Sequence, residues 1–138
     1  MGDALAVVAL KQVKNPRRTL GDFGERLACE RLLATGYRIL DRNYRIQEGE
    51  IDIIAARDGV VAFVEVRTRR GSRMGTAAQS ITRAKAERLV LLADAYMAER
   101  QELTAAPRID VIAIDFTSVG KLVSLVHIKN AVSADWIE

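Results

Sequence analysis

Apolar positions along this chain follow two periods, and the changes between them predict seven elements. Asn15-Pro16-Arg17-Arg18 is a break, and Thr19 with Asp22 resembles an N-capping pair. The spacing predicts a helix from about Leu20 to Thr35 that stops at Gly36. Leu20, Phe23, Leu27 and Ala34 form its apolar face. Beside them runs a stripe of Gly21, Glu25, Ala28 and Leu32, where a carboxylate between small residues implies a close neighbour.

Alternation with period two then predicts strands over Tyr37–Ile46, Glu50–Ala56 and Val60–Arg69. Gln47-Glu48-Gly49 turns between the first pair. Asp58-Gly59 is a strong two-residue hairpin signal between the second. A small-residue loop, Arg70 to Gln79, leads to Thr82, which can cap a helix to about Arg100. Ala84, Leu89, Leu92, Ala93 and Tyr96 are its expected apolar surface. Two more strands, Arg108–Phe116 and Lys121–Ile128, are joined through Ser118-Val119-Gly120. The order α-β-β-β-α-β-β is that of one layered α/β domain, and the strands on either side of the long helix can be parallel neighbours.

The hairpin carries the chemistry. With Asp58-Gly59 as a two-residue turn, Arg57 faces Val60, Asp52 faces Glu65, and Glu50 faces Arg67. Strict alternation puts these four on one face with Ile54, Val61 and Phe63. Ile51, Ile53, Ala55, Ala62, Val64 and Val66 take the other. Facing carboxylates about 5 Å apart repel and need a compensating charge. A hard divalent cation meets that need. So does Arg67, through an ion pair with Glu50 or Glu65, and both remain open.

Composition narrows the setting. The 138 residues, 49% hydrophobic and 28% charged, fit one globular domain with a formal net charge of +3. The single cysteine, Cys29, excludes a disulfide framework and a cysteine-rich zinc site, and reads as a packed thiol. Residues 1–16 are expected to form a mobile or loosely docked arm, with the domain over 17–138. The apolar start is cut by Lys11 and Lys14, so neither a signal peptide nor a membrane anchor is expected, and the cytoplasm is the expected compartment. His127 stands alone as a hydrogen-bonded or surface histidine, Trp136 as a packing residue, and Asp110 and Asp115 are left outside the site.

Positive charge is concentrated at Arg67, Arg69, Arg70, Arg73, Arg83, Lys85 and Arg88, with only Glu87 against it. Such a run is often a solvated face. Beside two facing acids it also suits a phosphate-bearing substrate.

Gly24-Glu25-x-x-Ala28-x-x-x-Leu32, Gly36-Tyr37, Gly49-Glu50-Ile51-Asp52-Ile53-Ile54, Phe63-Val64-Glu65-Val66-Arg67-x-Arg69, Thr82-x-x-Lys85 and Arg108-x-Asp110-Val111 occur in order. Over roughly residues 17–132 this set resembles the YraN family of small bacterial proteins. That family is similar to the PD-(D/E)xK restriction-endonuclease-like superfamily, including archaeal Holliday-junction resolvases. The resemblance implies a restriction-endonuclease-like mixed β-sheet flanked by α-helices. It implies Asp52 as the first metal-binding carboxylate, Glu65 as the acid of the E-x-K element, and Glu25 as a helix acid approaching the metal. Gln79 and Lys85 would stand near the site. Arg67 occupies the position of the superfamily's lysine, and arginine cannot supply a neutral amine.

The leading expectation is a metal-dependent endonuclease acting on DNA or RNA, with duplex or branched DNA favoured. Asp52, Glu65 and the Val66 carbonyl would hold Mg2+ or Mn2+, with Glu25 and Glu50 as further ligands. Arg67 and Arg69 would grip phosphate, while Arg70, Arg73, Gln79, Arg83 and Lys85 line the nucleic acid. The alternatives are a non-catalytic nucleic-acid-binding domain and a structural domain whose acids and arginines form an ion-pair network. A homodimer would suit a two-fold-symmetric substrate.

Overall fold

The computed structural model describes residues 16–71 and 81–132. In order these form α1 (Pro16–Ala34), β1 (Arg38–Ile46), β2 (Gly49–Arg57), β3 (Val60–Arg70), α2 (Arg83–Glu99), β4 (Ala106–Phe116) and β5 (Leu122–Ile128). The seven predicted elements are therefore all present. One sheet runs β1-β2-β3-β4-β5, antiparallel except between β3 and β4. The α2 crossover makes that parallel step possible.

The two helices cover opposite faces. α1 lies over Ile53, Ala55, Ala62, Val64, Ile112, Ile114 and Phe116. α2 packs Ala86, Leu89, Leu92, Ala93 and Tyr96 onto Ile54, Val61, Phe63, Ile109 and Val111. Both faces of the hairpin strands are thus buried, which is why its sequence reads as nearly continuous apolar residues away from the acids.

Several local expectations are corrected. α1 begins at Pro16, not Leu20, because proline is pre-set for a first helical turn; Thr19 lies inside the helix, and Pro16 belongs to the domain rather than the arm. The remainder of the expected arm, residues 1–15, lies outside the described residues. Ala34 is exposed, and the most buried line of α1 is Gly24, Ala28 and Leu32. The close approach is made by Gly24: a Cβ there would stand 2.4 Å from Thr68 Cγ2, whereas one on Gly21 would meet nothing within 4 Å. On α2, Ala86 is buried and Ala84 is exposed. Gly36, with φ of 92°, closes α1 as Tyr37 N donates to Leu32 O over 2.9 Å.

The hairpin register is the expected one. Arg57 pairs with Val60, and the ladder continues to Ile53 and Val64. Asp58 and Gly59 both have positive φ, 48° and 78°, as a two-residue hairpin turn requires.

Candidate functional site

The site begins where that ladder stops. Beyond Ile53 and Val64, β2 pairs only with β1 and β3 only with β4. Asp52 stands at the parting. Its side chain replaces the next backbone partner, and Val66 N donates to Asp52 Oδ2 over 2.8 Å.

Alternation also breaks there. Ile53 packs under α1, yet Ile51 joins Ile54 in the core under α2. Across the ladder, Asn43 faces this position between the pairs Arg42–Ile53 and Tyr44–Ile51, and it adopts a left-handed φ of 53°. Asparagine tolerates that conformation better than most residues. The strict period assumed from sequence is wrong at this point, so the expected single face bearing Glu50, Asp52, Glu65 and Arg67 does not form. The acids divide into two groups.

The first group is Asp52 with Glu65. Glu65 is only 4% exposed, and Asp52 is partly buried. Burial, reinforced by the neighbouring Glu65 carboxylate, pushes the Asp52 carboxyl up to about 8 against the opposing Val66 N–H. Two cations reach Glu65 from the α2 side: Lys85 Nζ at 3.2 Å and Arg67 Nη1 at 3.6 Å from Oε2. Thr82 helps to place Lys85, since its hydroxyl caps α2 by accepting from Lys85 N at 3.1 Å.

The second group lies under α1. Glu25 and Glu50 border a cavity of about 640 Å³ with Asp22, Arg26, Arg42, Asn43 and Arg45. Arg45 pairs with Glu50, and Arg42 Nη2 stands 3.8 Å from Glu25. With its amide in the orientation its neighbours require, Asn43 donates to Glu50 Oε1 over 2.9 Å and to Glu25 Oε1 over 3.1 Å. Burial raises the Glu25 carboxyl, while Arg42 opposes the rise. Sequence reasoning did not find Asn43, Arg42 or Arg45; an asparagine flanked by alternating residues in mid-strand was the available signal.

Glu25 and Glu50 are tied to Asn43, Arg42 and Arg45, and Glu25 lies close enough to Asp52 and Glu65 for their charges to act on one another. Among the described residues, no three His, Cys, Asp or Glu side chains gather closely enough to hold an ion by themselves. The Asp52 and Glu65 oxygens nevertheless suit a hard divalent cation. They are adjacent, and a carbonyl and water can fill the remaining positions.

Of the expected nucleic-acid contacts, Lys85 and Arg67 are at the acids. Arg83 pairs with Glu87 on the exposed side of α2, at 3.5 Å. Arg70 Nε donates to Ser118 O over 3.1 Å, so it serves the β4–β5 turn rather than the acids. Arg69 lies next to it on β3, level with Asp115 of β4. Arg73 and Gln79 fall outside the described residues.

A second buried acid was left aside in the sequence. Asp110 is fully buried and satisfied on every side. Arg108 Nε and Nη2 donate to Asp110 Oδ1 and Oδ2 at 2.8 Å each, His127 Nε2 is 2.8 Å away, and Asn130 N donates over 3.0 Å. Arg108 also reaches Tyr37 Oη at 2.7 Å. Burial alone would raise the Asp110 carboxyl, but His127, Arg108 and Asn130 together hold it down at about 2. His127 is accordingly the hydrogen-bonded histidine expected.

No described helix is long and apolar enough to cross a membrane. Residues 24–114 match the model of an uncharacterised protein family, UPF0102. A UPF0102 protein of Roseiflexus castenholzii is 51% identical over 118 residues, covering 84% of this chain and 95% of the relative. One from Symbiobacterium thermophilum is 46% identical over 105 residues, 76% of this chain and 89% of its own length. A third, from Chlorobaculum parvum, is 45% identical over 95 residues, covering 69% and 74%. The matched span runs from Gly24 on α1 to Ile114 on β4 and contains both acid groups. The chain belongs to the UPF0102 family, the YraN-like proteins that its motifs resemble.

Proposed function

We propose that the protein is a divalent-metal-dependent endonuclease with a restriction-endonuclease-like fold, acting on duplex or branched DNA in the cytoplasm. The observation that carries this reading is the Asp52–Glu65 pair, two acids held together where β2 and β3 part, with burial and the neighbouring carboxylate raising the Asp52 carboxyl. Structural carboxylates are normally satisfied, as Asp110 is. A buried carboxyl whose pKa is raised beside a second acid is a common mark of a functional site.

Asp52 and Glu65 would hold Mg2+ or Mn2+ together with the Val66 carbonyl. The Val66 N–H already faces Asp52, and N–H and C=O of one strand residue point the same way. A bound ion would supply Lewis acidity and lower the pKa of a water held beside it. The chain's own cations do the rest. Lys85, reaching Glu65 from α2, would serve as a displaced lysine, because Arg67 holds the strand position that the superfamily resemblance gives to lysine; Arg67 stays charged and would hold a non-bridging phosphate oxygen. Glu25 and Glu50, tied to Asn43, would be the further ligands, directly or through water.

The Lys85–Glu65 contact also favours a second reading, because a lysine on Glu65 supplies part of the missing charge without metal. A non-catalytic DNA-binding domain would keep that pair. Incubation with linear and branched DNA, with and without Mg2+ or Mn2+, decides between them. Metal-dependent cleavage that falls at least about 100-fold in Glu65→Ala is expected. Cleavage absent from every combination, or untouched by that substitution, rejects the nuclease.

A further inference from the structure

The basic run contributes less to the surroundings of the acid pair than its sequence suggests. Arg70 donates to Ser118 O, and Arg83 pairs with Glu87. Three other arginines border the cavity of about 640 Å³ under α1: Arg26 from the helix, Arg42 and Arg45 from the edge strand β1. The cavity adjoins the acid pair, since Glu25 on its wall is close enough to Asp52 and Glu65 for their charges to interact.

The guanidinium groups there are open to solvent. Arg45 has 74% of its side chain exposed and Arg42 has 44%. Arg26 is exposed over the Phe23 ring and pairs with no carboxylate among the described residues. Arg45 is held by Glu50 and Arg42 by Glu25, and ion pairs this exposed hold weakly. Both carboxylates keep a second tie, to Asn43. A guanidinium released from a carboxylate offers the same planar fork of donors to a phosphate.

Charge decides when that exchange occurs. Arg26, Arg42 and Arg45 stand against Asp22, Glu25 and Glu50, so the cavity is balanced by itself. Once Glu25 and Glu50 help to hold a divalent cation, two of those negative charges are offset and the cleft is left positive.

We propose that the cleft between α1 and β1 is the track for the backbone of the bound DNA, with Arg26, Arg42 and Arg45 as its phosphate contacts. Arg42 and Arg45 exchange Glu25 and Glu50 for phosphate when those acids take part in holding the cation. The inference rests on the metal-dependent nuclease reading and adds to it the path of the strand, past the edge of β1 to the acid pair. Contacts of this kind position a backbone without reading bases, so the track is indifferent to sequence. Linkage makes the coupling reciprocal, and DNA tightens cation binding by the same factor.

Fluorescence anisotropy of a labelled DNA duplex with the full chain tests it, in chelator and in Ca2+, a hard cation of the same oxygen preference, over a range of salt. In the wild type Ca2+ should tighten binding about tenfold. The double variant Arg42→Ala, Arg45→Ala should lose most of that gain, and its salt slope in Ca2+ should fall by about 1.8, about 0.9 for each lost phosphate contact. Arg42→Lys with Arg45→Lys keeps both charges, should keep the slope, and serves if the alanine variant does not fold. Arg38→Ala, at the other end of β1, should change neither quantity. Binding whose slope and Ca2+ gain survive the double alanine variant would overturn the track and leave DNA binding standing. No binding in either condition would overturn the track and the nuclease reading together.

Discussion

Asp52 and Asp110 are both carboxylates in the interior of one sheet, and they are treated in opposite ways. Asp110 has Arg108, His127 and Asn130 N around it and is held down at about 2. Asp52 has one backbone N–H and faces another carboxylate, and is pushed up to about 8. The difference separates an acid surrounded by donors from one that the fold sets against another acid. A buried polar group with all partners in place adds specificity to a core. One without them persists where something else completes it.

The sharpest way to break this comparison is to remove both charges in turn. Asp110→Asn leaves Arg108 partly buried without its counter-ion and should cost about 3–5 kcal/mol in chemical unfolding. Asp52→Asn, in chelator, should be neutral or stabilising, since it relieves repulsion with Glu65. Equal losses in the two variants would show that Asp52 is structural after all.

The helix approach comes next in size. Gly24→Ala places a Cβ against Thr68 and should cost about 1–3 kcal/mol, whereas Gly21→Ala on the same helix should cost nothing or stabilise. Thermal melts of the two variants check this. It sharpens the comparison because α1 carries Glu25 towards the Asp52 side, and the first variant should lower any metal affinity as well.

The pH dependence gives the finest distinction. In the folded chain Asp52 keeps its proton to about pH 8, while in the unfolded chain it ionises near 3.9. The folded state then holds more protons in that interval, so Asp52 makes stability fall as pH rises from about 4 to 8. The slope is up to about 1.4 kcal/mol per pH unit. Asp110 has the reverse sign. Its contribution is complete above about pH 4 and is lost as pH falls towards about 2. Stability measured against pH should lose its high-pH decline in Asp52→Asn and keep it in Asp110→Asn.

Much of this was legible in the chain. The Asp58-Gly59 turn set the register, and the register brought Asp52 and Glu65 together. The hairpin strands were legible as short apolar runs bounded by turn residues, because both faces are covered by helices. What failed was the assumption that alternation continues through the site. Asn43 and Asp52 interrupt it, and that one break moves Ile51 under α2 and leaves Glu50 with Glu25 under α1. The Asp110 cluster was hidden for another reason. Tyr37, Arg108 and His127 come from three separated parts of the chain, and no local pattern announces such a convergence.

The central claim is that the Asp52–Glu65 pair awaits a divalent cation. Calorimetric titration of the wild-type chain with Mn2+ near pH 7, in buffers of different ionisation enthalpy, tests it most directly. The account predicts uptake accompanied by release of about one proton per ion, because Asp52 must ionise to bind, and loss of both in Asp52→Asn. No uptake by the wild type, or uptake indifferent to that substitution, would contradict it.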